Sequence, residues 1–124
     1  MSQRSLSPPY AILFVYDPSN KNATTPEYSV DSLVSATRHC ISVATRADVD
    51  GETNVTLAGG LQESDRLPEH KIFEGLIETP NRKIAVVTAE LQTVLELRVK
   101  DDVAKVNIWV DDLRNPGTLL ITAE

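Results

Sequence analysis

The chain is built from short segments in which apolar and polar residues alternate, at spacings near ten residues. In TVLELRV, residues 93–99, Glu96 and Arg98 alternate with leucines, so a strand there would have one apolar face. Turn signals such as Asp50-Gly51 and Asn115-Pro116-Gly117 separate the segments. Short strands at this spacing are typical of an antiparallel sandwich or barrel, and we expect a mainly β protein: an antiparallel β-sandwich of about eight short strands. The predicted strands lie within residues 10–17, 39–46, 52–59, 70–78, 83–89, 93–99, 101–112 and 118–124.

One segment departs from this pattern. In VDSLVSATRH, residues 30–39, Val30, Leu33, Val34 and Thr37 recur at helical spacing, and Ser29 is a suitable N-cap. The sequence therefore predicts one short helix after the first strand. Residues 88–93 fit a helical turn, a bulge or a continuous strand, and the pattern does not choose among them.

The length of 124 residues and an apolar share of 41% indicate one hydrophobic core. We expect a single sandwich domain over residues 10–124, preceded by a flexible segment at residues 1–9. No run approaches the roughly 20 apolar residues of a membrane span, and the N-terminus does not match a signal peptide. The expectation is a cytoplasmic protein with no membrane partner.

The sequence contains no recognisable catalytic motif, and we predict that the chain is not an enzyme and needs no cofactor. Cys40 is the single cysteine and His39 is its neighbour, but neighbours on a strand point to opposite faces. Cys40 is therefore expected to be a buried thiol. A pairing of Cys40 with His70, the other histidine, stays open at this point.

The net charge of −6 is unevenly distributed, since residues 63–124 hold twelve acidic and eight basic side chains. Phosphate contacts need a basic face, so nucleic acid is a poor direct partner. A basic protein is a better one. The alternative is that mild acidity only keeps the domain soluble.

Aspartate pairs flank the segment DDVAKVNIWVDD, residues 101–112. An extended run from Asp102 to Asp111 spans roughly 30 Å, so the two pairs should lie at opposite ends of the sandwich. Trp109 is either a core residue of the second face or an exposed aromatic beside an acidic rim, where it would suit a protein interface or a homodimer contact. The predicted partner-binding residues are Trp109, Asp111, Asp112, Glu63 and Asp65, with Glu90 at the same end.

A β-sandwich that binds a small ligand or calcium through acidic turn residues is the alternative function, because turn carboxylates supply the oxygen ligands that calcium prefers. If every connection after His39 is a simple reversal, Asp48, Asp50, Asp101 and Asp102 meet at one end. Aspartate is also a favoured turn residue in its own right, which accounts for the same pattern without a metal.

The order of elements resembles the competence protein J family. The resemblance covers residues 10–123 and rests on layout: the strand YAILFVYD, a Pro-containing loop, YSVDSLVSATR, the strand CISVATR, and hairpins up to VNIWVDD and GTLLITA. Members of that family bind and inhibit a DNA-entry nuclease. The resemblance implies a β-sandwich that acts as an inhibitor or immunity-type protein, by occupying its partner rather than by chemistry.

Overall fold

The computed structural model describes residues 2–26, 32–60 and 67–124, and ten strands account for most of them. The strands are β1 (Ser2–Leu6), β2 (Ile12–Tyr16), β3 (Val34–Ala36), β4 (Cys40–Ala44), β5 (Thr53–Ala58), β6 (His70–Glu78), β7 (Lys83–Thr88), β8 (Thr93–Arg98), β9 (Val103–Val110) and β10 (Thr118–Ala123).

The strands form two five-stranded sheets, in the orders β1-β5-β10-β9-β6 and β3-β4-β2-β7-β8. Every pairing is antiparallel except the parallel pairing of β10 with β5. The predicted mainly β fold is confirmed. No helix of the described residues is long and apolar enough to cross a bilayer.

The core lies between the inner faces of the two sheets, as the alternating pattern predicts. Val106, Ile108 and Val110 of β9 point into it and are fully buried. Leu13 and Val15 of β2 do the same from the other sheet. Removing these side chains from water is the main favourable term for folding in a domain of this kind.

The short helix predicted over residues 30–39 is wrong in its described part, because Val34–Ala36 form β3. This strand pairs antiparallel with β4, with Val34 opposite Val43. The Thr37 backbone N–H closes the connection by donating to the Cys40 carbonyl at 2.8 Å. An edge position beside β4 supplies the backbone hydrogen bonds that a helix would have made internally, and the β-branched Val34 suits a strand.

The N-terminal segment expected to be flexible contains a strand as well. Ser2–Leu6 pair antiparallel with β5, with Gln3 opposite Thr56, and the Gln3 side chain donates to Asn54 Oδ1 at 2.8 Å. Leu6 packs against the core. The ladder and this apolar contact order residues that composition alone presents as a polar tail.

The parallel pairing of β10 with β5 determines which loops share an end of the sandwich. β9 is antiparallel to both β10 and β6, so β5 and β6 run in the same direction and the connection between them is not a simple reversal. Residues 7–11, 45–52, 89–92 and 111–117 therefore lie at one end, and residues 17–26, 37–39, 79–82 and 99–102 at the other.

Backbone hydrogen bonds between loops agree with this arrangement. At the first end, Thr45 N donates to Ala11 O at 2.9 Å and Arg46 N donates to Pro116 O at 3.1 Å. At the other, Thr79 N donates to Asp102 O at 2.7 Å. The sequence pattern does not determine the conformation of residues 88–93. In the structure they form the hairpin turn between β7 and β8, with Thr88 and Thr93 as the adjoining strand ends.

Asp17 is a fully buried carboxylate that joins two loops of the second end. Its Oδ2 accepts from the Asn81 backbone N–H at 2.7 Å, and its Oδ1 accepts from the Ser19 N–H at 3.0 Å. A buried charge is tolerated only where hydrogen bonds of this kind replace its water.

We predict that Asp17→Ala lowers the free energy of unfolding by about 2 to 3 kcal/mol, because two backbone donors lose a charged acceptor. Urea denaturation measures the change. Asp101→Ala is the matched control, since Asp101 is exposed at the same end and only its backbone carbonyl accepts a hydrogen bond from Thr79. Equal effects of the two substitutions would contradict the role given to Asp17.

Candidate binding surface

One end of the sandwich is strongly acidic. Four of its loops, residues 7–11, 45–52, 89–92 and 111–117, are fully described and contain six carboxylates and two arginines. We call these loops the acidic end. Its carboxylates are those of Asp48, Asp50, Glu52, Glu90, Asp111 and Asp112, and all six residues are exposed. The opposite end mixes four basic and three acidic residues in its described loops, so among the described loops the excess of negative charge is at the first end.

The acidic end also exposes large apolar side chains. The exposed fractions are 86% for Tyr10, 87% for Val49, 79% for Leu91 and 53% for Leu113. These are four of the seven large hydrophobic residues that the described chain exposes, although the four loops are a minor part of it. Apolar residues rimmed by polar ones are characteristic of interaction sites.

Two loops of this end contain residues in the left-handed region. Tyr10 has φ 60°, Ala11 φ 54° and Leu91 φ 64°, and only one other described residue outside glycine has positive φ. This conformation is uncommon for residues with a side chain and costs about 1 to 2 kcal/mol each. Strain of this kind tends to persist at functional sites.

Arg46 holds two of the loops together. Its Nη1 donates to the Asp50 carbonyl at 3.2 Å, and its backbone N–H donates to the Pro116 carbonyl. The guanidinium packs so closely on Gly117 that a Cβ at that position would overlap it. A side chain at position 117 would displace the end of the flexible Arg46 side chain, and the contacts made by Arg46 hold residues 45–52 beside residues 111–117.

Asp111 and Asp112 are at this end, as the sequence predicts, and both carboxylates organise the loop that follows them. Asp111 Oδ1 accepts from Gly117 N at 2.9 Å and Thr118 N at 3.0 Å. Asp112 Oδ1 accepts from Arg114 N at 2.8 Å and Asn115 N at 3.1 Å. The bonds from Arg114 and Asn115 lower the pKa of Asp112 below its ordinary value.

Asp48 and Asp50 join this surface unexpectedly. The turn positions of these residues predict a calcium site with Asp101 and Asp102, but the structure places the two pairs at opposite ends. The four-aspartate site is therefore wrong, because β5 and β6 run in the same direction and the assumed reversal between them does not occur. Within the described ranges, no group of three or more His, Cys, Asp or Glu residues could hold a metal ion.

Trp109 is buried, with 7% of its surface exposed, so the interpretation as an exposed anchor or a homodimer contact is wrong. It lies on the outer side of its sheet, opposite Leu120 in β10 and Lys71 in β6. Lys71 Nζ is 5.4 Å from the centre of the indole ring. The other two predicted binding residues, Glu63 and Asp65, lie outside the described residues.

The reactive side chains are not brought together. His39 Nε2 is 2.8 Å from Glu78 Oε2 at the end opposite the acidic end, whereas His70 lies at the start of β6, next to the acidic end. Cys40, like His39, belongs to the opposite end, so the open pairing of Cys40 with His70 is not formed. Burial raises the pKa of the Cys40 thiol to about 12, which keeps it protonated and a poor nucleophile.

Three apolar members of the surface were missed in the sequence because each lies inside a turn rather than in a periodic segment, and Tyr10 was missed because it was assigned to the first predicted strand. A usable signal is present at three positions: Val49 between two aspartates, Leu91 between Glu90 and Gln92, and Leu113 between Asp112 and Arg114. An apolar residue within a polar turn does not contribute to the core, so its presence there indicates an interaction site.

We predict that a thiol reagent such as Ellman's reagent does not modify Cys40 in the native protein at pH 8, because the side chain is buried and protonated. The absorbance of released thionitrobenzoate measures the reaction. Modification should become fast once urea unfolds the chain. Rapid labelling under native conditions would contradict the assignment of Cys40 as an inert core residue.

We predict that Leu91→Gly raises the free energy of unfolding by about 1 kcal/mol, because glycine adopts positive φ without steric cost. The Leu91 N–H donates to Thr88 O at 3.0 Å, and this hairpin turn favours glycine at its last position. Leu76→Gly, at an exposed position within β6, is the control and should be destabilising. Thermal and urea unfolding of both variants test the expectation, which fails if the two shift in the same direction.

Neither a protein-family model nor a curated protein matches the chain. Its structure is similar to the crystal structure of ComJ from Bacillus subtilis, described as an inhibitor of the DNA degrading activity of NucA. The TM-score is 0.68 at 15% sequence identity, and the match covers 99% of this chain and 94% of ComJ. The resemblance to the competence protein J family that the order of elements indicated is thus confirmed at the level of the fold.

Proposed function

We propose that the chain is a non-enzymatic protein-binding domain that inhibits a nuclease, or another basic protein, by covering its active surface with the acidic end. The observation that carries the proposal is the joint concentration of carboxylates and exposed apolar side chains in the four loops at this end. Neither feature is needed to form the core, and together they match the surface of a protein that binds a cationic partner.

The likeness in fold to a nuclease inhibitor supports the choice of partner. A nuclease binds phosphates with basic side chains, so an acidic protein surface is electrostatically complementary to its cleft. The buried, protonated Cys40 and the separation of Cys40 from His70 support a role without catalysis.

The charge part of the proposal is tested by measuring DNA degradation by NucA in the presence of the purified chain. The double variant Asp48→Lys/Asp50→Lys should weaken inhibition at least about tenfold, because reversal places like charges against a basic cleft. Among described residues, no hydrogen bond engages either carboxylate, so the loop should keep its structure. Asp111 and Asp112 are less suitable, since their substitution would also release the backbone donors of residues 114–118.

The matched control is Asp101→Lys/Asp102→Lys, the same charge change on exposed turn residues of the opposite end. It should alter inhibition by less than about twofold, apart from a small long-range effect that salt removes. Equal losses from both double variants would show that only net charge matters. The nuclease assignment fails if the unaltered chain neither binds nor inhibits NucA at low ionic strength.

A further inference from the structure

We infer that Tyr10, Val49 and Leu113 are the anchors of the binding surface, and that the carboxylates around them accelerate association with the partner by electrostatic attraction. The inference rests on the proposed function, and it assigns binding energy to the apolar side chains and electrostatic attraction to the carboxylates. It also defines the partner's surface, which must combine a rim of lysine and arginine with an apolar hollow at its centre.

The exposure of these residues is the first argument. Tyr10 and Val49 each keep more than four-fifths of their surface in water and contribute nothing to the core. Covering such side chains is favourable in proportion to the apolar area removed from water, and tyrosine is among the residues that dominate binding energy in interfaces. The exposed carboxylates cannot supply this favourable free energy of burial, because they lose their hydrating water when the partner covers them.

The backbone at Tyr10 gives a second, independent argument. Tyr10 and the following Ala11 both have left-handed φ angles, and Pro8 and Pro9 restrict the chain before them. The Ala11 carbonyl is fixed by the Thr45 N–H at 2.9 Å. The loop thus holds the tyrosine in the solvent in a fixed backbone conformation, which lowers the entropy cost of binding.

Tyr10 is also placed beside a carboxylate. Tyr10 and Asp48 line the same surface depression, together with residues of the 7–11 loop. An aromatic ring next to an acidic group fits an apolar hollow flanked by a cation. Steering by the surrounding charges should act on the association rate, whereas burial of the apolar side chains should act on the dissociation rate.

The charge around the anchors identifies the occupant as a basic protein. A second copy of the chain would bring two sets of six carboxylates together, which repel. Nucleic acid and an anionic membrane are disfavoured for the same reason. A cationic surface with an apolar centre is complementary to both features of the acidic end.

The test is surface plasmon resonance with immobilised NucA, using the full chain and its variants. Val49→Ser/Leu113→Ser should raise the dissociation rate at least about tenfold and leave the association rate within about twofold. Tyr10→Ala should do the same, whereas Tyr10→Phe, which keeps the ring, should bind like the unaltered chain. Asp48→Asn/Asp50→Asn should mainly lower the association rate and reduce its dependence on salt.

Leu76→Ser is the matched control, because Leu76 is 65% exposed but lies six residues along β6, roughly 20 Å from the acidic end. It should leave both rates unchanged. Circular dichroism spectra and melting curves establish that each variant is folded.

The outcomes separate the two proposals. Unchanged dissociation rates for the Tyr10→Ala and Val49→Ser/Leu113→Ser variants, in a chain that still binds NucA, overturn the anchors and leave the proposed function standing. Absence of NucA binding by the unaltered chain overturns the nuclease assignment, and with it the anchors as the contact surface for that nuclease. An effect of Leu76→Ser as large as that of Tyr10→Ala also overturns the anchors, because the contact would then not be confined to the acidic end.

Discussion

The parallel pairing of β5 with β10 is the constraint from which the layout of the molecule follows. β10 lies between β5 and β9, so one strand completes the hydrogen bonding of two neighbours and carries Leu119 and Ile121 into the core. This pairing makes β5 and β6 run in the same direction. The parallel pairing thereby brings the loop before β5 and the loop before β10 to the same end of the sandwich. With an antiparallel pairing, Asp48 and Asp50 would lie at the opposite end of the molecule from Asp111 and Asp112.

The local pattern was sufficient to predict eight of the ten strands, all except β1 and β3, but not the path between them. Alternation along TVLELRV and the segment ending in VNIWV reflects the two faces of a strand, and any sheet that buries one face produces it. Whether two consecutive strands are parallel or antiparallel depends on which strand, distant in the sequence, pairs between them. No local pattern of residues encodes that pairing. The assumption of simple reversals therefore failed once, between β5 and β6, and that failure moved Asp48 and Asp50 from one end to the other.

The helix prediction failed for a related reason. Val34 and its neighbours fit helical spacing, but three residues are enough to pair with β4, and tertiary pairing overrides a short local preference. The candidate surface was predicted in part. Asp111 and Asp112 could be found because charge next to a strand end is visible in the sequence, whereas Tyr10 could not, because its exposure depends on the conformation of the loop that carries it.

The acidic end combines groups that stabilise the loops with groups that do not. Asp111 and Asp112 satisfy backbone donors, and Arg46 joins two loops over Gly117. Leu91 and Tyr10 act in the opposite sense, since both strain the backbone and expose apolar surface. A chain selected only for stability would have no reason to retain them, which is why their position carries more functional information than the buried residues do.

The late position of β10 in the chain has a consequence for folding kinetics. Thr53 Oγ1 donates to the carbonyl of Pro116, a residue 63 positions away, and the adjoining ladder from Asn54 to Ala58 forms only when β10 docks. Contacts between residues so far apart form only after long loops close, and loop closure costs entropy before the contacts stabilise the structure. Folds dominated by such contacts therefore form in milliseconds to seconds rather than microseconds. Until β10 docks, β5 is not joined to β9 and the loops of the acidic end are not assembled, so the proposed binding surface is complete only after this step.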